Sequence, residues 1–284
     1  MGEIIDFKSP VLRIEHDQAE AVATLWLDRA EARNAMGVDL WRDLPRAMAL
    51  LSADTSVRVV VVAAQGPHFS VGLDLKAMGS MLTAGGDSGS APASMAARAR
   101  SSRAEVLRLQ DAITAVARCP KPVIAAVHGY CIGGGVDLIA ACDIRLASSD
   151  AVFSVREAKV AIVADLGSLQ RLPAIINAGH LAELAYTGKD ISAERAKEIG
   201  LVNDVAADVE GVHKAARALA AEIAANSPIA VQGTKAVLAA NEGRTVAEGL
   251  DYVATWNAGM LASDDLTEAM TAFMEKRPPK FTGR

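Results

Sequence analysis

Apolar and polar positions change rhythm along the chain, and each rhythm predicts an element. Residues 11–16 and 21–27 are branched and apolar with loose alternation, and the polar gap 17–20 between them predicts a strand pair. Val38, Leu40, Trp41, Leu44, Ala47, Met48 and Leu51 fall at the spacing of one helix face, with Asn34 or Gly37 near its start. Residues 57–64 form an unbroken β-branched and apolar run stopped by Gln65-Gly66-Pro67, which predicts a strand buried on both faces. A loop entering a short helix is expected over 69–81. Residues 83–101 are rich in Gly, Ser and Ala without a period, so a mobile loop is expected inside the domain.

Further on, the pattern predicts a helix over 104–117, a buried strand over 122–127, a glycine-led helix over 133–142 and a buried strand over 144–147. A short strand is expected at 152–155, and helical segments at 166–176 and 179–187. Ser192 is placed to cap a helix ending at Ile199, with Gly200 just past its end. After that the character changes: 213–226, 229–241, 246–261 and 264–274 all read as helix. The expected class is α/β, with strands joined right-handedly by helices over residues 1–205 and a helical region over 206–284.

Composition narrows the function. The 284 residues are 51% hydrophobic and 22% charged, which excludes a disordered or fibrous chain. A formal net charge of −5 argues against nucleic acid or an anionic membrane as partner. Cys119, Cys131 and Cys142 include no CxxC pair and read as small apolar filler in a reducing compartment. The histidines are scattered with no HxxH or HxxxH, so no metal is expected. The first ten residues resemble neither a secretory signal nor a transit peptide, and the chain ends in no peroxisomal or ER address. The longest uncharged stretch, 122–136, is too short for a bilayer, and a cytoplasmic protein is expected.

Three segments could carry chemistry. His68-Phe69-Ser70-Val71-Gly72-Leu73-Asp74-Leu75 follows a buried strand, where an α/β sheet places its ligand loops. Gly133-Gly134-Gly135 lies between another buried strand and a helix, and lets a ligand approach the backbone closely. It is neither a dinucleotide fingerprint nor a P-loop. The third is acidic: Asp137, Glu157 and Asp165 all stand in apolar surroundings, which raise carboxyl pKa values and suit proton transfer. Each also has a plain structural role open to it: Asp137 and Asp165 as helix caps, Glu157 as a partner for Arg156 or Lys159. Arg29, Arg33, Lys76, Lys276, Arg277 and Lys280 could meet phosphate or be solvated surface charges. No nucleophile elbow surrounds Ser70 or Ser168.

Taken in order, these segments resemble the crotonase, or enoyl-CoA hydratase/isomerase, family. The likeness runs through Leu27-Asp28-Arg29, Arg33-Asn34-Ala35-Met36 and Phe69-Ser70-Val71-Gly72-Leu73-Asp74-Leu75. It continues through Pro120-Lys121-Pro122-Val123, residues 133–137, Ala141-Cys142-Asp143-Ile144-Arg145, Leu169-Gln170-Arg171-Leu172-Pro173 and Glu198-Ile199-Gly200-Leu201-Val202. It implies a spiral core of ββα units, a C-terminal region used in trimerisation, and a homotrimer or homohexamer. It also implies an acyl-CoA thioester substrate of fatty-acid β-oxidation, no further cofactor, and an oxyanion hole from the N–H groups of Leu73 and Gly134. Substrate and coenzyme A contacts are implied at Arg29, Arg33, Ser70, Val71, Gly72, Asp74, Leu75, Gly133, Lys276, Lys280 and Phe281.

The carboxylates point to a subfamily. A typical hydratase is similar at Glu157 but has Glu where this chain has Asp137, and glycine-rich sequence where this chain has Asp165. Together, Asp137, Glu157 and Asp165 look like the acidic triad of Δ3,5-Δ2,4-dienoyl-CoA isomerases. The alternative is a 2-enoyl-CoA hydratase using Asp137 and Glu157 on one water. A more distant one is a non-catalytic acyl-CoA-binding member of the family.

Overall fold

The computed structural model describes residues 2–77, 79 and 94–284. Its first strands are β1 (Glu3–Ile5), β2 (Leu12–Asp17) and β3 (Val22–Leu27), followed by helix α1 (Val38–Ala53) and β4 (Val59–Ala64). Then come α2 (Met95–Ala117), β5 (Val123–Val127), β6 (Tyr130–Ile132), α3 (Gly134–Ala140), β7 (Ile144–Ser148) and β8 (Val152–Ser154). A short α4 (Ser168–Arg171), α5 (Ala178–Thr187), β9 (Ile191–Ser192), α6 (Ala193–Glu198) and β10 (Asp204–Ala206) complete the α/β part. The helices α7 (Val209–Ala224), α8 (Pro228–Ala240), α9 (Val246–Met260) and α10 (Asp264–Glu275) follow.

Among the described residues, seven strands form one sheet in the order β1-β2-β3-β4-β5-β7-β10. From β3 onward the neighbours are parallel, while β1 and β2 turn back antiparallel. The unbroken apolar run of β4 is explained by its two covered faces. Val60, Val62 and Ala64 join the core beneath α1 and α2, and Val59, Val61 and Ala63 meet Val212, Ala216, Ala220 and Ala224 of α7. Alanines at every fourth position let α7 lie close to the sheet. A second sheet, β6-β8-β9, stacks beyond the ends of the parallel strands. Two single bridges, Ser70 to Cys131 and Met36 to Leu73, carry its pairing into the loops after β4 and before α1.

Several boundaries differ from the sequence reading for physical reasons. Helix α2 starts at Met95, capped by the Ser94 hydroxyl, so residues 95–101 are helix and not loop. Its first turns are mostly exposed Ala, Arg and Ser, of which Ala and Arg favour helix, with no apolar face to give a period. The rest of the expected mobile loop, 83–93, lies outside the described residues. So do residues 78, 80 and 81 of the expected short helix, while 75–77 form a turn. The helix expected over 166–176 narrows to α4 and a 3-10 turn at Leu172–Ala174, because Pro173 cannot donate to the ladder.

The C-terminal end is fastened to the sheet. The buried Asp265 carboxylate accepts from Ser227 Oγ (2.6 Å) and from the N–H groups of Thr282 (2.7 Å) and Gly283 (3.1 Å). Arg58, just before β4, donates to the carbonyls of Ala224 and Phe281. No described helix is long and apolar enough to cross a membrane.

Candidate active site

The loops leaving the C-terminal ends of β4 and β5 meet, and their meeting needs glycine. Gly72 has φ +82°, and a Cβ there would stand 2.7 Å from the Ile132 carbonyl oxygen and 3.2 Å from the Gly134 nitrogen. A Cβ on Gly134 would stand 2.9 Å from Met36 Sδ and 3.9 Å from the Leu73 nitrogen. The N–H groups of Leu73 and Gly134 therefore flank one small space. Neither donates to an acceptor among the described residues. On either side the chain is pinned: Met36 N–H to Gly72 O (2.8 Å), Asp74 N–H to Met36 O (3.0 Å), and Ser70 N–H to Tyr130 O (2.9 Å). Two fixed, unengaged donors side by side can hold an oxygen on which negative charge develops.

Around this space stand the acids. Asp137 lies in the first turn of α3 and is buried, its Oδ1 accepting from Ser168 N–H at 2.6 Å. Burial pushes its carboxyl up to about 6, against the opposing hydrogen bonds from Ser168. Glu157 opens a 3-10 turn, Glu157–Val160, closed by Ala161 at φ +58°. A Cβ on Gly133 would stand 3.2 Å from Glu157 Oε1, while the buried Oε2 has no partner among the described residues. Burial pushes Glu157 up to about 7, and the charges of Asp137 and Asp165 add to the rise. Asp165, half-buried, is raised by burial too. Three carboxyl groups that feel one another's charge, two of them poised near neutrality, can hold and pass protons at physiological pH.

The other residues singled out in the sequence divide into two places. Arg29 pairs with Asp74 (2.8 Å), and this pair braces the mouth of the loop. Ser70 is fully buried, its hydroxyl donating to Asn34 O (2.8 Å) and accepting from Gly72 N–H (3.1 Å), so it shapes the turn. Val71 is half-buried, while Arg33 and Leu75 are exposed on the same side. Lys276, Lys280 and Phe281 lie elsewhere, on the tail held by Arg58 and Asp265. That is the end where β4 begins, whereas the acids sit where it finishes.

Sequence reading assigned no supporting role to three residues that have one. Asn34, at φ +53°, accepts from Arg29 N–H and donates to the carbonyls of Gln65 (2.9 Å) and His68 (2.8 Å), fixing the turn that leads to Gly72. Gln110 Nε2 donates to the Asp165 carbonyl (2.6 Å), and Arg171 spans Leu166 O (3.3 Å) and Thr114 Oγ1 (3.0 Å). Only Asn34 left a signal, since Asn is among the few residues that tolerate the left-handed region. Among the described residues no group of His, Cys, Asp and Glu could hold a metal ion, and the cysteines are buried and free.

Comparison with known proteins agrees with this geometry. The sequence profile described as Enoyl-CoA hydratase/isomerase matches residues 17–284. The chain is 44% identical to the peroxisomal Delta(3,5)-Delta(2,4)-dienoyl-CoA isomerase of Arabidopsis thaliana over 271 residues, 94% of this chain and 95% of that protein. It is 42% identical to the mitochondrial enzyme of the same name from Homo sapiens over 282 residues, 99% of this chain and 84% of that one. Among solved structures, enoyl-CoA hydratase from Bacillus anthracis superposes with a TM-score of 0.85 at 30% identity, covering 96% of this chain and all 100% of that one. The likeness extends across both the strand-bearing and the helical parts of the fold. These relatives also correct the expectation of a cytoplasmic protein, for they are labelled peroxisomal or mitochondrial.

Proposed function

The chain belongs to the enoyl-CoA hydratase/isomerase family, and from that premise we propose that it isomerises 3,5-dienoyl-CoA to 2,4-dienoyl-CoA. The observation that carries this reading is Asp165, a third half-buried carboxyl group within electrostatic reach of Glu157. Hydration needs two groups around one water, whereas moving a double-bond system along a flat chain needs a proton taken at one end and returned at the other.

The thioester oxygen lies against the N–H groups of Leu73 and Gly134. One of Glu157 and Asp165 takes a proton from C2, and the electron pair left behind forms the C2=C3 bond. The C3=C4 pair moves to C4=C5, the C5=C6 pair takes up a proton at C6 from the other acid, and the net charge is unchanged. Between the two transfers, the dienolate charge on the thioester oxygen is met by the two donors, each of a kind that contributes about 3 kcal/mol. The step needs one protonated and one ionised acid, and Glu157, pushed up to about 7, can take either form near neutral pH. Asp137, tied to Ser168, orients the substrate end. No cofactor beyond the coenzyme A of the substrate is called for.

Arg29, Arg33, Val71, Gly72, Asp74, Leu75 and Gly133 line the approach of the thioester, with Ser70 shaping the turn beneath it. Residues 1–205 carry the site, and 206–284 carry contacts between subunits of a trimer or a pair of trimers. Support comes from large apolar side chains left in solvent on the last helices: Leu250 is 62% exposed, Phe273 82% and Met274 75%. Lys276, Lys280 and Phe281 then reach the coenzyme A of a neighbouring subunit, which fits their distance from the acids of their own chain.

Ultraviolet absorbance tests the reading, with 3,5-dienoyl-CoA and 2-enoyl-CoA assayed in parallel. Growth of the conjugated 2,4-dienoyl band with little loss of the 2-enoyl signal is expected. Loss of the 2-enoyl signal alone would overturn the reading in favour of a hydratase.

A further inference from the structure

Of the three acids, Asp165 has the least support of its own. Asp137 is built into α3 and Glu157 into a 3-10 turn, but residues 162–165 have no regular structure. Ile162 N–H is tied back to Glu157 O (3.0 Å), and at the far end of the segment the hold comes from α2. Gln110 Nε2 donates to the main-chain carbonyl of Asp165 itself at 2.6 Å, across 55 positions of sequence. One turn further along the same face of α2, Thr114 Oγ1 accepts from Arg171, whose other nitrogen donates to Leu166 O. The neighbouring face of α2 is locked into the core through Leu109, Ala112, Ile113 and Val116. A rigid helix thus presents a rail to an irregular segment, and Gln110 is its contact at the acidic residue.

We propose that Gln110 is a positioning residue for isomerisation, fixing the Asp165 main chain so that its carboxyl group stands at the correct reach of the dienoyl chain. The proposal rests on the dienoyl reading of the site, because hydration at C2 and C3 makes no use of Asp165. A group displaced by about 1 Å from its reacting atom loses on the order of 100-fold in rate while substrate still binds. Gln110 therefore acts on kcat and leaves KM alone.

The test uses the full chain with Gln110→Leu and Gln110→Glu, assayed on 3,5-dienoyl-CoA beside the unsubstituted enzyme, with thermal melts of each. For Gln110→Leu, kcat is expected to fall about 10- to 100-fold with KM within about twofold. Gln110→Glu keeps the length but, when ionised, faces the Asp165 carbonyl with lone pairs. Its kcat relative to the unsubstituted enzyme should rise as pH falls from 8 toward 5.5 and the new acid gains a proton to donate. The charged groups nearest that loop are Asp137, Glu157, Asp165, Arg171 and Glu242, whose charge acts on Arg171, and all are common to both enzymes, so the ratio isolates the group at position 110. A folded Gln110→Leu enzyme with unchanged kcat, or one whose loss lies in KM, would overturn the assignment. Should Gln110→Leu fail to fold, a pH-independent ratio for Gln110→Glu overturns it instead. An unsubstituted enzyme that makes no 2,4-dienoyl product sinks the functional reading first, and the two failures are thereby told apart.

Discussion

Glu157 keeps a proton near neutral pH because its surroundings refuse its charge. One oxygen lies near Gly133, the other is buried without a partner, and two more carboxyl groups stand within range. Its pKa rises from an ordinary 4.5 to about 7 on folding, so the protonated form is the one the fold tolerates. The linkage has a definite sign. Below pH 4.5 both states hold the proton and the burial is harmless; as pH rises from 4.5 through about 7 the folded state is increasingly penalised, and above that the penalty is constant. Glu157→Gln should therefore raise the melting temperature by a few degrees at pH 8 and leave it nearly unchanged at pH 4.5, as read by calorimetry. The same substitution should lower isomerase kcat by at least about 100-fold, since it removes one proton carrier. Stability gained where activity is lost is the signature of a residue held for chemistry.

At the scale of elements, two loops and a helix decide what those acids can do. The contact of the β4 and β5 loops passes through Gly72, where φ is +82° and the nearest carbonyl leaves no room for a Cβ. Gly72→Ala should destabilise the protein by about 1–3 kcal/mol and move the Leu73 donor away from Gly134. Chemical denaturation would measure the first effect and kcat the second, and an alanine enzyme with full turnover would refute the proposed oxyanion pair. Much of this architecture was legible in advance. The buried run of β4, the glycines that open α3 and the acids in apolar sequence each declare themselves locally. What escaped has a common cause. Strands β6, β9 and β10 are two or three residues long and exist through partners distant in sequence. Gln110 looks like any polar residue on an exposed helix until its acceptor, a carbonyl far along the chain, is placed beside it. The periodic signal in α2 fades over its first turns because nothing packs on them.

On the scale of the whole molecule, the three acids and the C-terminal tail occupy opposite ends of the parallel strands. The acids gather beyond the C-terminal ends of β4 and β5, while the tail bearing Lys276, Lys280 and Phe281 is fastened beside Arg58 at the start of β4. Replacing Phe273 and Met274, which stand 82% and 75% exposed, by lysine should shift the protein toward monomer, with light scattering as the readout. On the proposed assembly, catalysis should fall with it as KM rises, because the neighbour's tail would no longer meet the coenzyme. A monomeric double variant with unchanged KM would refute a shared coenzyme site.

The clasp at Asp265 gives the molecule two opposite responses to acid. Although burial works against its charge, hydrogen bonds from Ser227, Thr282 and Gly283 hold this carboxylate below its usual range. Its contribution is present above the unfolded pKa and is lost as pH falls through the folded one. Asp137 and Glu157 run the other way, for protonation relieves the strain of their burial. Acidification thus relieves the burial of Asp137 and Glu157 while it weakens the clasp that holds the C-terminal tail.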